Sequence, residues 1–138
     1  MKQYKNRVIW TKIGWFIPLL ISAILFGVSL SFFLNPDCPI GWMIVFWVTL
    51  ITTLFFLIMF IVVLAVVTFK EFKHGSLNLW VYAGFTKGVL GVDDRVLDKD
   101  SNIWLPRYVM DASVGNYSID VKTDGRNITL KVNGQLVE

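Results

Sequence analysis

The chain has 138 residues, 55% of them hydrophobic, and a formal charge of +3, with a mean hydropathy of +0.61 and a pI near 9.1. That length leaves room for one soluble domain at most beside any membrane segment, and the hydrophobic fraction exceeds the ordinary globular range. A nucleic-acid footprint is excluded by where the charges fall: residues 75–138 hold seven basic and eight acidic side chains, whereas Lys2, Lys5, Arg7 and Lys12 meet no acid in residues 1–12, and binding a polyanion needs a clustered basic face on the soluble part.

Residues 1–12 read as a basic N-terminal segment, and from Ile13 to Leu34 there are 22 residues without a charge. At ~1.5 Å per residue this run is about 33 Å long as a helix, enough for a hydrocarbon core of about 30 Å. It is too long for a signal-peptide core and no small-residue cleavage site follows, so it reads as an uncleaved anchor. Asn35, Pro36 and Asp37 before Cys38 likewise lack the small apolar run of a lipobox. Pro18 removes the helical bond to the Gly14 carbonyl, so the helix either kinks there or begins just before it. Ala23, Gly27 and Ser31 recur every four residues, a small-residue stripe that lets a second helix approach closely. Packing against the next helix is the plainer reading of that stripe, and a homo-oligomer face is the sharper one.

Asn35-Pro36-Asp37-Cys38-Pro39 is a short break with two prolines, which predicts antiparallel neighbouring helices. Ile40 to Phe69 adds 30 uncharged residues, about 45 Å as helix, so the second helix is expected over residues 40–69 with its end emerging from the bilayer. Thr49, Thr52 and Thr53 are its main polar groups, and neither run contains an ionisable residue, which argues against a self-sufficient pump or transporter. Trp10, Trp15 and Lys12 suit the inner membrane boundary and Trp42 the outer one. Phe69 to His74 reads as an interfacial exit stopped by Gly75, with Lys70 and Lys73 snorkelling to head groups. Basic flanks and a connection without Lys or Arg place both termini in the cytoplasm of an inner (plasma) membrane of bacterial type. Cys38 then lies outside, either as a free thiol or as an intermolecular disulfide.

Residues 75–138 change to a period of two. Leu77, Leu79 and Val81 alternate with Asn78, Trp80 and Tyr82; Tyr117, Ile119 and Val121 alternate with Ser118, Asp120 and Lys122. Ile128, Leu130 and Val132 continue the pattern, and a four-residue loop at Thr123–Arg126 would set Val121 opposite Ile128 and Ile119 opposite Leu130. Further hairpins are expected at Asn133-Gly134 and Asp93-Asp94. Ile103–Leu105 and Tyr108–Asp111 supply one more strand interrupted at Pro106. The fold class is therefore a two-helix membrane hairpin followed by a small all-β antiparallel domain of about six short strands. Val89–Asp98 matches Thr129–Glu138 in pattern; two similar hairpins in one sheet account for this most simply, and a duplicated half-domain is the alternative.

Chemistry-bearing constellations are scarce. One histidine, His74, and one cysteine provide neither a zinc knuckle nor a CxxC pair. Asp98-Lys99-Asp100 begins like a calcium loop, but Ile103 stands where glycine is needed and Val109 where the bidentate glutamate should be. No catalytic, cofactor-binding or metal-binding residue is expected, nor any cofactor. The chain reads as a small non-enzymatic membrane protein whose β domain serves as an interaction or regulatory module for a membrane complex. Its expected partners are the lipid bilayer, a protein and a further copy of itself. The alternative is an immunity or superinfection-exclusion protein acting through the hairpin, and a pore-former of the holin kind ranks behind both.

Overall fold

The computed structural model describes residues 1–103 and 105–137. Two helices come first, α1 (Lys2–Phe33) and α2 (Ile40–Val66), and eight strands follow: β1 (Thr68–His74), β2 (Leu77–Ala83), β3 (Lys87–Val92), β4 (Arg95–Ser101), β5 (Arg107–Val114), β6 (Tyr117–Asp124), β7 (Asn127–Val132) and β8 (Gln135–Val137). The chain divides into two compact units, Trp10–Val63, and Met1–Ile9 together with Leu64–Glu138.

In the first unit the helices pack as an antiparallel hairpin. Phe32 stacks on Trp42 and Phe33 on Phe46, both with ring centroids 4.2 Å apart, near the connection. Trp15 meets Phe56 at 6.4 Å and Phe16 meets Phe60 at 5.6 Å toward the other end. Ser29 and Thr49 hydroxyls lie 2.9 Å apart across the seam, and each is also within bonding distance of a carbonyl of its own helix, as an apolar setting requires of hydroxyls. Most other side chains of both helices are exposed and apolar, and both helices are long and apolar enough to cross a membrane. Pro18 sits inside α1; the helix begins at Lys2 and runs through it, so the alternative of a start just before the proline is not adopted. The Lys and Arg of residues 2–12 are good helix formers, which explains why the basic segment is helical as well.

The second unit is a two-sheet sandwich with strand orders β1-β2-β3-β4 and β5-β6-β7-β8. Eight strands replace the six expected. The extra count comes partly from β1: α2 ends at Val66, not Phe69, and Thr68–His74 pairs in full register with β2, from Thr68↔Ala83 to His74↔Leu77. Val62, Val63, Val66, Val67 and Thr68 are β-branched, which lowers helix and raises strand preference at this point. The β domain therefore starts at Thr68 and not at residue 75. In the other direction, Ile103 and Leu105 belong to the connection between β4 and β5 and form no strand, while Trp104 lies outside the described residues.

The β6–β7 hairpin has the expected faces but a register two residues tighter. Ile119 pairs with Val132, Val121 with Leu130 and Asp124 with Asn127, leaving a two-residue turn at Gly125-Arg126. Gly125 has φ +60°, which suits the first central position of a type II′ turn, and the shorter turn adds ladder pairs that a four-residue loop forgoes. Asn133-Gly134 and Asp93-Asp94 are turns as expected.

Each sheet is a four-strand meander, and the two meanders correspond in order and pairing, apart from a bulge at Leu90/Gly91 in the first. β2, β3 and β4 begin at residues 77, 87 and 95; β6, β7 and β8 begin at 117, 127 and 135, an offset of 40 throughout. Turn glycines Gly75 and Gly115 have φ of 60° and 58°, and turn residues Asp93 and Asn133 have 49° and 52°. The Asp93 amide donates to the Asn78 carbonyl at 2.9 Å, and the Asn133 amide to the Ser118 carbonyl at 2.7 Å. The two similar hairpins thus lie in different sheets, against the one-sheet account.

The core lies between the sheets. Phe72, Leu79, Val81, Leu90 and Val92 from the first face Tyr108, Met110, Ile119, Val121, Leu130 and Val132 from the second. Tyr108 is fully buried, its hydroxyl donates to the Gly84 carbonyl at 2.7 Å, and its amide donates to the buried Thr123 hydroxyl. Burial pushes the Tyr108 phenol above its ordinary pKa, with Tyr82 and Asp100 adding to the shift and a backbone hydrogen bond from Lys87 opposing it.

Candidate functional site

The outer faces of the two sheets differ, and that contrast locates the site. On the first sheet Trp80, Tyr82 and Val89 point outward and are buried. The helical turns of Met1–Ile9 pack there: the Tyr4 ring lies 5.2 Å from Trp80 and 5.4 Å from Tyr82, Val8 is buried, and Lys5 bridges to Glu71 at 3.3 Å. The Trp80 indole donates to the Asp93 carbonyl at 2.7 Å, meeting the need of a buried N–H for a partner. Burial raises the Tyr82 phenol above its usual range, while the Arg7 guanidinium pulls it down and Tyr4 adds to the rise.

The outer face of the second sheet is open. Val109 and Asp111 on β5, Asp120 and Lys122 on β6, Thr129 and Lys131 on β7 and Leu136 on β8 are all exposed. They come together because the pleat alternates: each sits one residue from a core side chain. A shallow depression of about 490 Å³ is lined by Val109, Asp111, Asp120, Lys122, Thr129 and Lys131. The ladder sets Asp111 opposite Asp120, with Lys131 next to Asp120 and Leu136 next to Lys131. Like charges directly opposite on a sheet repel, and neither carboxylate has a side-chain ion pair among the described residues. Val109 is 63% exposed and Leu136 59%, so two apolar side chains border this charged centre. The arrangement offers charge and apolar contact and no nucleophile–base pair.

The adjoining edge of this face is closed by two aspartates. The Val109 amide donates to Asp100 Oδ2 at 3.0 Å and the Asp111 amide to Asp98 Oδ2 at 3.1 Å. Each carboxylate also accepts the next amide of its own strand, from Lys99 and Ser101, at 2.8 Å. Asp98 and Asp100, tested above as the start of a calcium loop, are strand residues that occupy the outward amides of β5, which blunts an edge otherwise open to pairing.

The other singled-out residues are dispersed. Ala23, Gly27 and Ser31 lie on an exposed face of α1, and nothing stands within 4 Å of a Cβ placed on Gly27. The hairpin seam runs instead through the buried Ser22 and Ser29 with the half-buried Phe26 and Phe33, so the face that packs within the hairpin is not the stripe of Ala23, Gly27 and Ser31. Trp10 is 70% exposed, while Lys12 is half-buried on α1. Trp15 and Trp42 pack on Phe56 and Phe32. Lys70 and Lys73 are carried by strand β1, not by a helical exit, and Lys70 Nζ lies 5.0 Å from the Phe72 ring centre. Cys38 is half-buried in the connection and free. Among the described residues no group of three His, Cys, Asp or Glu is placed to hold a metal.

Tyr4, Val8, Val109 and Leu136 were not singled out by sequence. Tyr4 and Val8 stand four apart on one helix face, a signal masked by the surrounding basic residues. Val109 is the apolar exception among outward positions of Arg107–Ser113 and was legible as such. Compared with known proteins, the chain matches no family model, and no curated protein and no solved structure is significantly similar to it.

Proposed function

We propose that the chain spans a bacterial inner membrane twice, with both termini cytoplasmic, and that its β domain is a non-enzymatic docking module for a protein of a membrane complex. The docking face is the open side of the second sheet, and the partner presents a lysine or arginine to Asp111 and Asp120. The observation that carries this reading is the opposed, unpaired carboxylates between exposed Val109 and Leu136: a basic group from outside relieves their repulsion, and the flanking apolar side chains gain burial on contact. Lys131, next to Asp120 in the ladder, and Lys122, two residues along β6 from it, select against a uniformly basic partner. The spanning reading is supported by the length and apolar character of α1 and α2, and the orientation by basic residues 2–12 and a connection without Lys or Arg.

Site-specific photocrosslinking in cells tests the docking face. A photoreactive residue at Val109 should give one discrete protein adduct that Asp120→Lys abolishes; equal adducts from Val109 and from the turn residue Asn116 would refute it. A phosphatase active only outside the cytoplasm, fused after Glu138, should stay silent. A second reading, an immunity or exclusion protein acting within the bilayer, has its own support in the exposed stripe Ala23, Gly27 and Ser31, which suits a helix of another chain or a second copy. Gly27→Leu separates the two, because it removes activity only if that stripe is the working surface.

A further inference from the structure

The strand directions sort the connections of the sandwich onto two ends. The chain reaches β1 at Thr68, and the connections at residues 84–86, 102–106 and 125–126 lie at that same end; those at residues 75–76, 93–94, 115–116 and 133–134 lie at the other. Hydrogen bonds confirm the grouping. The Asn102 amide donates to the Thr86 carbonyl at 3.2 Å and the Gly125 amide to the Pro106 carbonyl at 3.2 Å. The Ala65 carbonyl lies 3.6 Å from a Cβ placed on Gly125.

The two ends have opposite character. Far-end turns contain only Gly, Ser, Asp and Asn. The Thr68 end carries Phe85, Ile103 and Leu105, and Ile103 is 80% exposed, more than any large apolar side chain of either helix. Residues 84–87, 101–107 and 124–127 hold three bases, Lys87, Arg107 and Arg126, against one acid, Asp124, a net charge of +2 (three minus one). Much of the polar backbone around the apolar tip is already occupied: the Leu105 amide donates to Asn102 Oδ1 at 3.4 Å, and the Arg107 amide to the Leu105 carbonyl at 2.7 Å. Each amide held in this way lowers the cost of bringing the loop into a low-dielectric medium.

We propose that this end of the β domain is a lipid-binding surface, in which Ile103 and Leu105 insert into the interfacial zone of the bilayer while Lys87 and Arg126 meet anionic head groups, Arg107 being bridged to Asp124 at 3.0 Å. The inference rests on the reading that α2, which ends at Val66 directly before β1, leaves a membrane at this end. The domain is then held at the bilayer by its loops as well as by its tether, and the loop 102–106 acts as a second membrane attachment.

The test uses the full chain in phosphatidylcholine–phosphatidylglycerol nanodiscs. In a Cys38→Ser background, single cysteines are introduced as Ile103→Cys, Asn116→Cys and Ile51→Cys and labelled with an environment-sensitive fluorophore. Nitroxide-bearing lipid should quench the probe at position 103 several-fold more than the probe at 116, and aqueous iodide should do the reverse. Equal iodide quenching at 103 and 116 overturns the inference, as does protection of position 103 from both quenchers, which would mean burial against protein. Position 51, in the middle of α2, separates the two levels of argument. Lipid quenching at 51 without quenching at 103 sinks the loop attachment and leaves the spanning reading intact; absence of lipid quenching at 51 sinks both.

Discussion

Gly88→Ala tests whether the β domain holds together through the contact between its sheets. A Cβ at residue 88 would lie 2.6 Å from Tyr108 Cγ, 2.8 Å from its Cβ and 2.9 Å from its Cδ2, against a comfortable carbon–carbon separation of about 3.5–4.0 Å. Roughly 1 Å of relief is needed, and the ring cannot supply it alone because it is fully buried and its hydroxyl is fixed to the Gly84 carbonyl. Overpacking of this kind costs about 1–3 kcal/mol, and losing the tyrosine hydrogen bond adds about 1 kcal/mol. Alanine recovers ~0.5–1 kcal/mol through its lower backbone entropy in a strand. A net loss of about 2 kcal/mol remains. For a β domain of this size each kcal/mol moves Tm by roughly 4–8 °C, so a fall of about 8–16 °C is expected, read from Trp fluorescence of the full chain in detergent. The substitution should cost much less in a Tyr108→Leu background, because the clash is specific to the ring. An unchanged Tm, or an equal loss in both backgrounds, would refute the packing argument.

Tyr4→Ala removes a ring that meets both Trp80 and Tyr82 and should destabilise the β domain by about 2 kcal/mol, whereas Lys5→Ala, at an exposed ion pair, should cost well under ~1 kcal/mol; chemical denaturation of the two variants makes the comparison. Asp98→Ala with Asp100→Ala strips two carboxylates from the outward amides of β5, with an expected cost of about 1–3 kcal/mol and faster self-association on heating, seen by light scattering. Alkaline stability should fall, because Tyr82 and Tyr108 both titrate above 10.0 in the folded chain. Above pH 10 the unfolded chain has released phenol protons that the folded chain keeps, so the folded state loses up to about 1.4 kcal/mol per pH unit for each phenol until its own raised pKa is reached. Stability is flat in this respect below pH 9, and Tyr108→Phe should reduce the slope in alkaline denaturation curves.

Both helices were legible because charge is absent from Ile13–Leu34 and Ile40–Phe69, a signal that needs no tertiary context. The inward faces of β2, β6 and β7 were legible for a similar reason: Leu79, Val81, Ile119, Val121, Leu130 and Val132 alternate without a break. Strand β1 was not, since Thr68 and Phe69 continue the uncharged run of α2 and Lys70 and Glu71 end it as charges at a helix exit would, and pairing with β2 overrides what local pattern suggests. The β6–β7 register was missed by two residues because alternation fixes the face but not the pairing, which the turn at Gly125 decides. The open face of the second sheet was half legible. Its polar positions follow from alternation, but whether a face stays open depends on where Met1–Ile9 packs. A basic segment gives no hint that Tyr4 covers the first sheet and leaves the second bare.

The offset of 40 between the two meanders bears on folding. A single meander has one apolar face and nothing of its own to cover it, and self-pairing is the symmetric way for such a unit to become soluble. In the present chain each meander covers the apolar face of the other, and the connection between β4 and β5 joins them. The outer surface of one is aromatic and covered by the helical turns of Met1–Ile9, while that of the other is charged and bare. Neither half should fold without the other, so a chain interrupted during synthesis after β4 would still expose its whole inner face. Folding should then be limited by the arrival of β5–β8, not by events within the first sheet.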